Sequence, residues 1–307
     1  ESRFLNNRLT LITGGRIDAV QVKNDVGYDV DYIITNGVKN DTPPNQRITF
    51  EKGKVNSLSW SANAGILYRI ADNTDLSLSL ARSFRAPSLE ERFKYIDLGN
   101  YVQLGDPNLK PESGYSADLG LRIWKNNLNV QVDGFVNRIN NLIVQTPGEF
   151  IYTINTGANE GTVDTLPALV NANVSKALLY GFDLGFEYNI VPRVVLFGSG
   201  SYVRGMDTSS DESLPQIPPF NGRLGIRYIY PSVGSAEFTF VGAADQDKIA
   251  SGEKKTGGYG RYDLALMSDR MSLGFVRLQL FAGIDNITNR SYTNHLATNR
   301  GSISVEP

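Results

Sequence analysis

The sequence predicts an all-β protein folded as an antiparallel, up-and-down transmembrane β-barrel. Three observations predict this class. Apolar residues recur at every second position in many segments, short and long connections alternate along the chain, and the polar positions carry charges of both signs. No apolar run reaches the roughly 18 to 20 residues that a membrane-spanning helix requires, so the relevant criterion is the alternation of strands of about 9 to 11 residues.

Alternation along the chain predicts the individual strands. From Leu58 to Ile70 every even-numbered residue is apolar, while Ser59, Ser61 and Arg69 belong to the opposite phase. Because side chains of a strand point alternately to two faces, this period indicates one apolar and one polar face. The same pattern predicts about eleven strands, among them segments near 58–70, 76–80, 115–123, 128–136, 182–190, 224–230, 237–240, 261–266 and 277–285.

The connections between these strands predict which end of the barrel each one faces. Short turns are expected near 71–73, 125–127, 191–193, 231–235 and 269–275, and long polar loops near 25–56, 85–113, 140–177, 205–221 and 245–258. In an up-and-down meander this alternation places all the short turns at one end and all the long loops at the other. Such sorting is typical of outer-membrane barrels, whereas Greek-key sandwiches do not sort their connections in this way.

The polar phase of the strands carries charge of both signs. A water-filled lumen, or one that faces a polar plug, accommodates such charges, whereas burying them in a closed small barrel would be costly. The alternative is that this phase is the solvated face of an open soluble sheet. The charged positions are Arg16, Asp18, Arg69, Asp118, Arg122, Asp133, Glu187, Arg223, Arg227, Asp263 and Arg277.

Composition excludes several functions. The 307 residues carry 30 basic and 32 acidic side chains, so the formal charge of −2 provides no basic field for nucleic acid. The lack of cysteine excludes thiol catalysis and cysteine-ligated metals, and the single histidine, His295, excludes a two-histidine metal site. The sequence contains neither a nucleophile elbow nor a phosphate-binding loop. We therefore expect a protein that is not an enzyme, with no catalytic residues, no metal site and no resident cofactor.

Two short motifs carry a family resemblance. Residues 83–93 read SFRAPSLEERF and residues 105–114 read GDPNLKPESG. They resemble the paired FRAP and NPNL boxes of TonB-dependent outer-membrane receptors, and in particular those of the haem and haemoglobin branch. The segment 285–292, DNITNRSY, also resembles that family, and the resemblance covers essentially the whole chain. The positions that match the boxes are Phe84, Arg85, Ala86, Pro87, Asp106, Pro107, Asn108 and Leu109.

The resemblance implies a function in active transport. Family members have a 22-stranded barrel closed by an N-terminal plug, and they are driven by the TonB complex of the inner membrane. On this basis we expect residues 1–307 to be the C-terminal half of such a barrel, without the plug and the last strand. We expect it in the outer membrane of a Gram-negative bacterium, importing a ferric siderophore or haem. The expected partners are the TonB complex through the absent plug, the lipid bilayer and the extracellular ligand, but no nucleic acid.

The candidate ligand-binding residues lie in the long loops. The haem branch places an iron-binding histidine between its two boxes, but this sequence has none there, and its second box begins with Asp106 instead of asparagine. Tyr95 or Tyr101 could bind ferric iron through a phenolate, with stacking or packing as the alternative. His295, in the last long loop, is a candidate for substrate contact, with a solvated loop residue as the alternative.

The boxes also have a structural interpretation. Proline ends a strand because it removes a backbone donor, so Pro87 and Pro111 are expected to fix the base of one loop. Glu90, Glu91 and Arg92 are expected to contact the plug or neighbouring loop charges. Two alternatives to active transport stay open at this point: a passive porin-like or adhesin-type outer-membrane barrel, and a soluble β-rich binding module.

Overall fold

A computed structural model describes residues 2–6, 8–99 and 101–297 of the chain. Among these residues, no helix has the length and apolar character needed to cross a membrane. The regular elements are one short helix, α1 (Leu89–Phe93), and the strands β1 (Ser2–Phe4), β2 (Leu9–Asn24), β3 (Gly27–Tyr28), β4 (Ile33–Thr35), β5 (Val38–Asn40), β6 (Ile48–Phe50), β7 (Gly53–Ala71), β8 (Thr74–Arg85), β9 (Tyr95–Asp97), β10 (Val102–Leu104), β11 (Glu112–Lys125), β12 (Leu128–Thr153), β13 (Val163–Val191), β14 (Val194–Asp207), β15 (Glu212–Ser213), β16 (Asn221–Tyr230), β17 (Gly234–Ala243), β18 (Tyr259–Ser268), β19 (Met271–Leu273), β20 (Val276–Leu278) and β21 (Phe281–Ile284).

The main sheet is an antiparallel meander. Its strands lie in the order β1-β2-β7-β8-β11-β12-β13-β14-β16-β17-β18-β21, and each is antiparallel to the next. This order confirms the predicted all-β, up-and-down class. The path has twelve members where about eleven were expected, because a strand as short as β1 gives no alternation signal. The sheet is not closed within the described residues, since β1 and β21 form its two edges.

The connections sort by length as predicted. Turns of two or three residues join β7 to β8, β11 to β12, β13 to β14 and β16 to β17, and all four lie at one end of the sheet. The other end carries the long connections 25–52, 86–111, 208–220 and 244–258. The sheet therefore has a short-turn end and a long-loop end.

Two predicted connections have a different structure. Residues 140–177, expected to be a polar loop, mostly belong to β12 and β13, which pair in one register from Leu128↔Tyr188 to Thr153↔Val163. Above Asn140, β12 no longer pairs with β11, so the two strands rise from the sheet as a free hairpin. Residues 271–278, expected to be a turn and the start of a strand, form a separate hairpin of β19 and β20.

The polar face of the sheet neutralises much of its own charge. Several of its arginines lie within hydrogen-bonding or salt-bridge distance of a carboxylate on the same or the neighbouring strand. The pairs are Arg16–Asp18 at 2.6 Å, Arg69–Asp75 at 3.4 Å, Arg227–Glu237 at 2.9 Å and Arg261–Asp263 at 3.3 Å. Paired charges of this kind suit a lumen that contains water or polar protein.

Much of the apolar core lies in the long connections. We define the loop lobe as residues 25–52, 86–111 and 141–175. Its core cluster consists of Val102, Phe150, Tyr152 and Ala168, which are between 1% and 7% exposed. β10 holds this cluster together because it pairs in parallel with β13 and antiparallel with β9. The long-loop end is therefore a packed structure and not a set of independent loops.

Candidate ligand-binding site

The first box begins the loop lobe with a capped helix. Ser88 is the N-cap of α1: its hydroxyl accepts a hydrogen bond from Glu91 N at 3.0 Å, and the Glu91 carboxylate accepts one from Ser88 N at 2.8 Å. Such reciprocal capping stabilises the first turn of a helix. The Arg85 guanidinium bridges two carboxylates, Glu91 at 2.7 Å and Glu112 at 2.8 Å. The predicted contact between Glu91 and neighbouring loop charges is thus present.

The second box packs directly on this helix. The Arg92 side chain, 1% exposed, donates a hydrogen bond to the Pro107 carbonyl at 2.5 Å. Asp106 caps the turn that follows it, since its carboxylate accepts a hydrogen bond from Asn108 N at 2.8 Å. Leu109 is 3% exposed and closes the base of the loop. Residues far apart in sequence therefore form one unit at the rim of the sheet.

Gly105 lies at the contact between the two boxes. Its backbone N–H donates a hydrogen bond to Lys94 O at 2.7 Å, so the two chain segments lie very close together. A Cβ at this position would lie 2.5 Å from the backbone carbon of Arg92 and 2.7 Å from its oxygen. Only glycine permits this approach without a backbone shift.

A buried polar contact joins the first loop to the tip of the β12–β13 hairpin. Gln46, 4% exposed, accepts a hydrogen bond from Asn155 Nδ2 at 2.9 Å on its side-chain oxygen. Asn155 N also donates to the Gln46 carbonyl at 2.7 Å, and Gln46 N donates to Thr156 Oγ1 at 3.1 Å. Sequence reasoning missed these residues, because their partners are more than 100 positions apart and no local pattern connects them.

Arg47 joins all three segments of the loop lobe. It lies 3.8 Å from Asp29, 3.6 Å from Asp97 and 4.9 Å from the ring centre of Tyr152. Burial alone would lower the pKa of Arg47, but its hydrogen bond to Tyr95 and the nearby Tyr152 and Asp29 raise it overall. Arg47 therefore remains charged and electrostatically links the segments.

Tyr95 lies inside the lobe. Its ring packs 5.5 Å from that of Phe150, and its hydroxyl accepts a hydrogen bond from Arg47 at 3.4 Å. Burial raises the pKa of Tyr95, which opposes the ionisation that iron binding through a phenolate requires. Tyr101 is 37% exposed and more accessible. The two tyrosines thus occupy different environments, and a ligand role for either stays a prediction.

A cleft of about 790 Å³ separates the first loop from α1 and β9. It combines aromatic side chains, which can stack on a planar ligand, with charged side chains of both signs. The aromatic residues of its lining are Tyr28, Phe50, Phe93 and Tyr95, and the charged ones are Lys23, Asp25, Asp29, Asp31, Glu90 and Lys94.

His295 lies at the junction of the other long connections. It is 3% exposed, so the interpretation as a solvated loop residue is wrong. Its Nδ1 lies 3.0 Å from Thr256 Oγ1 and its Nε2 lies 3.4 Å from Glu253. Glu253 also accepts a hydrogen bond from Gln216 N at 3.0 Å, so three connections meet around this histidine. His295 and Thr256 line a cavity of about 330 Å³ beside Arg223, which belongs to the polar face.

An antiparallel meander with short turns at one end, a charged inner face and a packed lobe at the other defines a wall of a β-barrel receptor. The chain belongs to the TonB-dependent receptor family: residues 2–287 match the family described as TonB dependent receptor-like, beta-barrel. This match covers the sheet, both boxes and the loop lobe.

Individual relatives agree with this assignment. The chain is 28% identical to transferrin-binding protein A of Haemophilus influenzae over 178 residues, which is 54% of this chain and 18% of that protein. Among solved structures it resembles the copper transporter OprC, with 24% identity and a TM-score of 0.70 over 94% of this chain and 42% of that one. It also resembles the siderophore receptor PirA from Acinetobacter baumannii, with 16% identity and a TM-score of 0.58 over 90% of this chain and 42% of that one. These likenesses to solved structures concern the fold, and the chain spans less than half the length of each of these proteins.

Proposed function

We propose that the chain is part of an outer-membrane receptor of a Gram-negative bacterium that imports an iron-containing ligand with energy from the TonB complex. The observation that carries the proposal is the packed loop lobe above a charge-lined inner face. A passive pore needs no such lobe, because solutes only have to pass. A receptor that captures a scarce ligand needs a pre-formed surface, since ordering loops at the moment of binding weakens affinity.

The chain accounts for one half of the proposed barrel. Its meander supplies twelve strands in sequence, and it covers 42% of the copper transporter OprC. We propose that residues 1–307 form the C-terminal half and that a plug from elsewhere in the protein occupies the lumen. The charged inner face supports this arrangement, because a polar plug would complete its hydrogen bonds.

The charge of the loop lobe bears on the class of ligand. Its three segments contain twelve acidic and six basic residues, although the whole chain has a formal charge of only −2. Like charges repel, so this surface favours a ferric siderophore of neutral or positive overall charge over a polyanionic chelate. Haem remains a candidate through stacking in the cleft, and Tyr101 is the more accessible of the two candidate tyrosines.

The decisive experiment measures uptake of radioactive iron by cells that depend on the full receptor. We expect uptake only with an intact TonB complex, and we expect Phe93→Ser, which removes an aromatic wall of the cleft, to raise the concentration needed for half-maximal uptake. Val233→Ser at the short-turn end is the matched control, since Val233 is exposed and distant from the lobe. Uptake that is independent of TonB would instead establish the passive porin-like or adhesin-type alternative.

A second candidate ligand is a folded iron-carrying protein. The hairpin of β4 and β5 projects from the lobe with exposed apolar side chains: Ile34 is 64% exposed, Val38 is 70% and Tyr32 is 49%. Exposed apolar residues beside acidic ones are typical of protein-contact surfaces. One relative is named for binding transferrin, which is consistent with a protein ligand.

This candidate is tested by binding of iron-loaded carrier proteins to the full receptor. We expect Ile34→Asp with Val38→Asp to abolish the binding of a protein ligand and to leave small-chelate uptake unchanged. Val233→Asp again serves as the control. Equal binding of carrier proteins by both variants would exclude the hairpin as a contact site.

A further inference from the structure

The apolar face of the sheet carries a row of basic residues at its upper edge. In the register of the sheet, Arg82 on β8 lies opposite Tyr115 on β11, and Tyr115 lies opposite Arg138 on β12. Directly opposed residues of antiparallel strands point to the same face, and this face also carries Leu80 and Val136. The two arginines are two strand spacings apart, which is about 10 Å.

The same face continues this row over the next two strands. Arg204 on β14 lies opposite Tyr180 on β13, and Lys176 lies opposite Asn140. We call Arg82, Arg138, Lys176 and Arg204 the outer basic patch. It extends over five neighbouring strands, from β8 to β14, within a few residues of one level.

The height of the outer basic patch matches the boundary of a bilayer. From Leu128, beside a short turn, β12 rises ten residues to Arg138, and the residues of this face in between are Val130, Val132, Gly134 and Val136. Ten residues extend about 33 Å along a strand, and a tilt of about 40° reduces this to about 25 Å along the membrane normal. This is the height of the apolar band of an outer-membrane barrel, so the patch lies at its outer boundary.

The charges of the outer basic patch are not neutralised by the protein. Within the described ranges, none of its four members has a carboxylate within 4.0 Å, in contrast to the arginines of the inner face. Arg82 is held by aromatic rings: its guanidinium lies 4.0 Å from the ring centre of Trp60 and 5.8 Å from that of Tyr115. Four cations beside an apolar band therefore lack a counter-charge of their own.

We propose that the outer basic patch binds the phosphate groups of a lipid in the outer leaflet. Arginine forms paired hydrogen bonds with phosphate, and the apolar band below the patch would accommodate the acyl chains of the same molecule. A free phosphate would satisfy only the charges, whereas a lipid satisfies both surfaces. The inference rests on the membrane placement proposed above, and it adds a lipid site outside the ligand path.

The experiment measures binding of lipid A, a doubly phosphorylated membrane lipid, to the full receptor in neutral detergent by native mass spectrometry. We expect R82Q/R138Q to bind lipid A at least about tenfold more weakly than the wild type, since each guanidinium contributes charge-assisted hydrogen bonds. The matched control is Lys125→Gln, which removes a positive charge at the short-turn end of β11. A third variant, R82K/R138K, keeps the charge and should recover part of the affinity, which excludes misfolding as the cause.

The outcomes distinguish the separate parts of the proposal. Dephosphorylated lipid A should bind the wild type and R82Q/R138Q equally weakly, and inorganic phosphate should displace little bound lipid A. Wild-type affinity in R82Q/R138Q would overturn the lipid site, and efficient displacement by inorganic phosphate would overturn the assignment to a lipid. A receptor that dissolves without detergent would refute the membrane placement itself.

Discussion

Substitution of Gly105 by alanine tests whether contact between the two boxes holds the loop lobe together. The added methyl carbon would lie between 2.5 and 2.7 Å from three backbone atoms of Arg92 and Phe93. Carbon atoms in van der Waals contact are about 3.5 to 4.0 Å apart, so the two segments must separate by about 1 Å. That shift would weaken the hydrogen bonds from Gly105 N to Lys94 O and from Asp106 N to Glu91 O.

Overpacking of this kind destabilises a structure by about 1 to 3 kcal/mol. Because the strain lies in the lobe, we expect it to favour local opening of residues 88–110 and not unfolding of the sheet. Hydrogen exchange of the Gly105 and Asp106 amides in the full receptor should accelerate by about 5- to 150-fold. The amides of β11 should exchange as in the wild type.

Gly185→Ala is the matched control, because a Cβ at Gly185 would meet no atom within 4 Å. It should leave exchange in residues 88–110 unchanged. If Gly105→Ala also leaves these amides unchanged, or if both variants accelerate them equally, the close contact between the boxes does not stabilise the lobe.

Three further substitutions probe the same region and the adjoining loops. The hydrogen bond from Arg85 lowers the pKa of Glu91 below its ordinary value of 4.5, so this carboxylate stabilises the lobe at neutral pH and loses that effect as the pH falls below 4.5. Glu91→Gln should therefore make proteolysis of the lobe faster at pH 7 and less dependent on acid, while Glu90→Gln, at a 76% exposed side chain, should do neither. Phe150→Ala should destabilise the lobe by about 3 to 5 kcal/mol, measured by hydrogen exchange of β10, and an effect below about 1 kcal/mol would contradict the packed core. His295→Leu should leave Thr256 without a hydrogen bond from the ring and increase proteolysis of residues 244–258; unchanged cleavage there would show that the histidine does not hold the connections together.

The sequence predicts the strands of the sheet well because their environment imposes a simple period. Leu119 and Leu121 on β11 belong to one face, and the residues between them belong to the other, as the alternation requires. The boxes were also informative, since Pro87 and Pro111 flank the loop whose base they were expected to fix. Local pattern and final structure agree wherever one face of a strand meets one kind of environment.

The β12–β13 hairpin was read as a loop for a physical reason. Pro147, Gly148 and Pro167 are residues that usually interrupt strands. Here they are tolerated, because above Asn140 one edge of β12 has left β11 and proline no longer removes a hydrogen bond to that neighbour. The stabilising contacts come from β10 and from Gln46, which lie far away in sequence. The burial of His295 has the same origin, since residues from three connections surround it.

The unbroken register of β12 and β13 has a mechanical consequence. From Asn140 to Thr153 the hairpin continues for thirteen residues, or about 43 Å of extended strand, in the same pairing that it has within the sheet. A paired ribbon resists bending more than a single chain does, so the hairpin acts as a strut between the membrane wall and the far side of the lobe. A ligand held at its tip is thereby kept at a fixed height, and any movement on binding must occur where the other two segments attach.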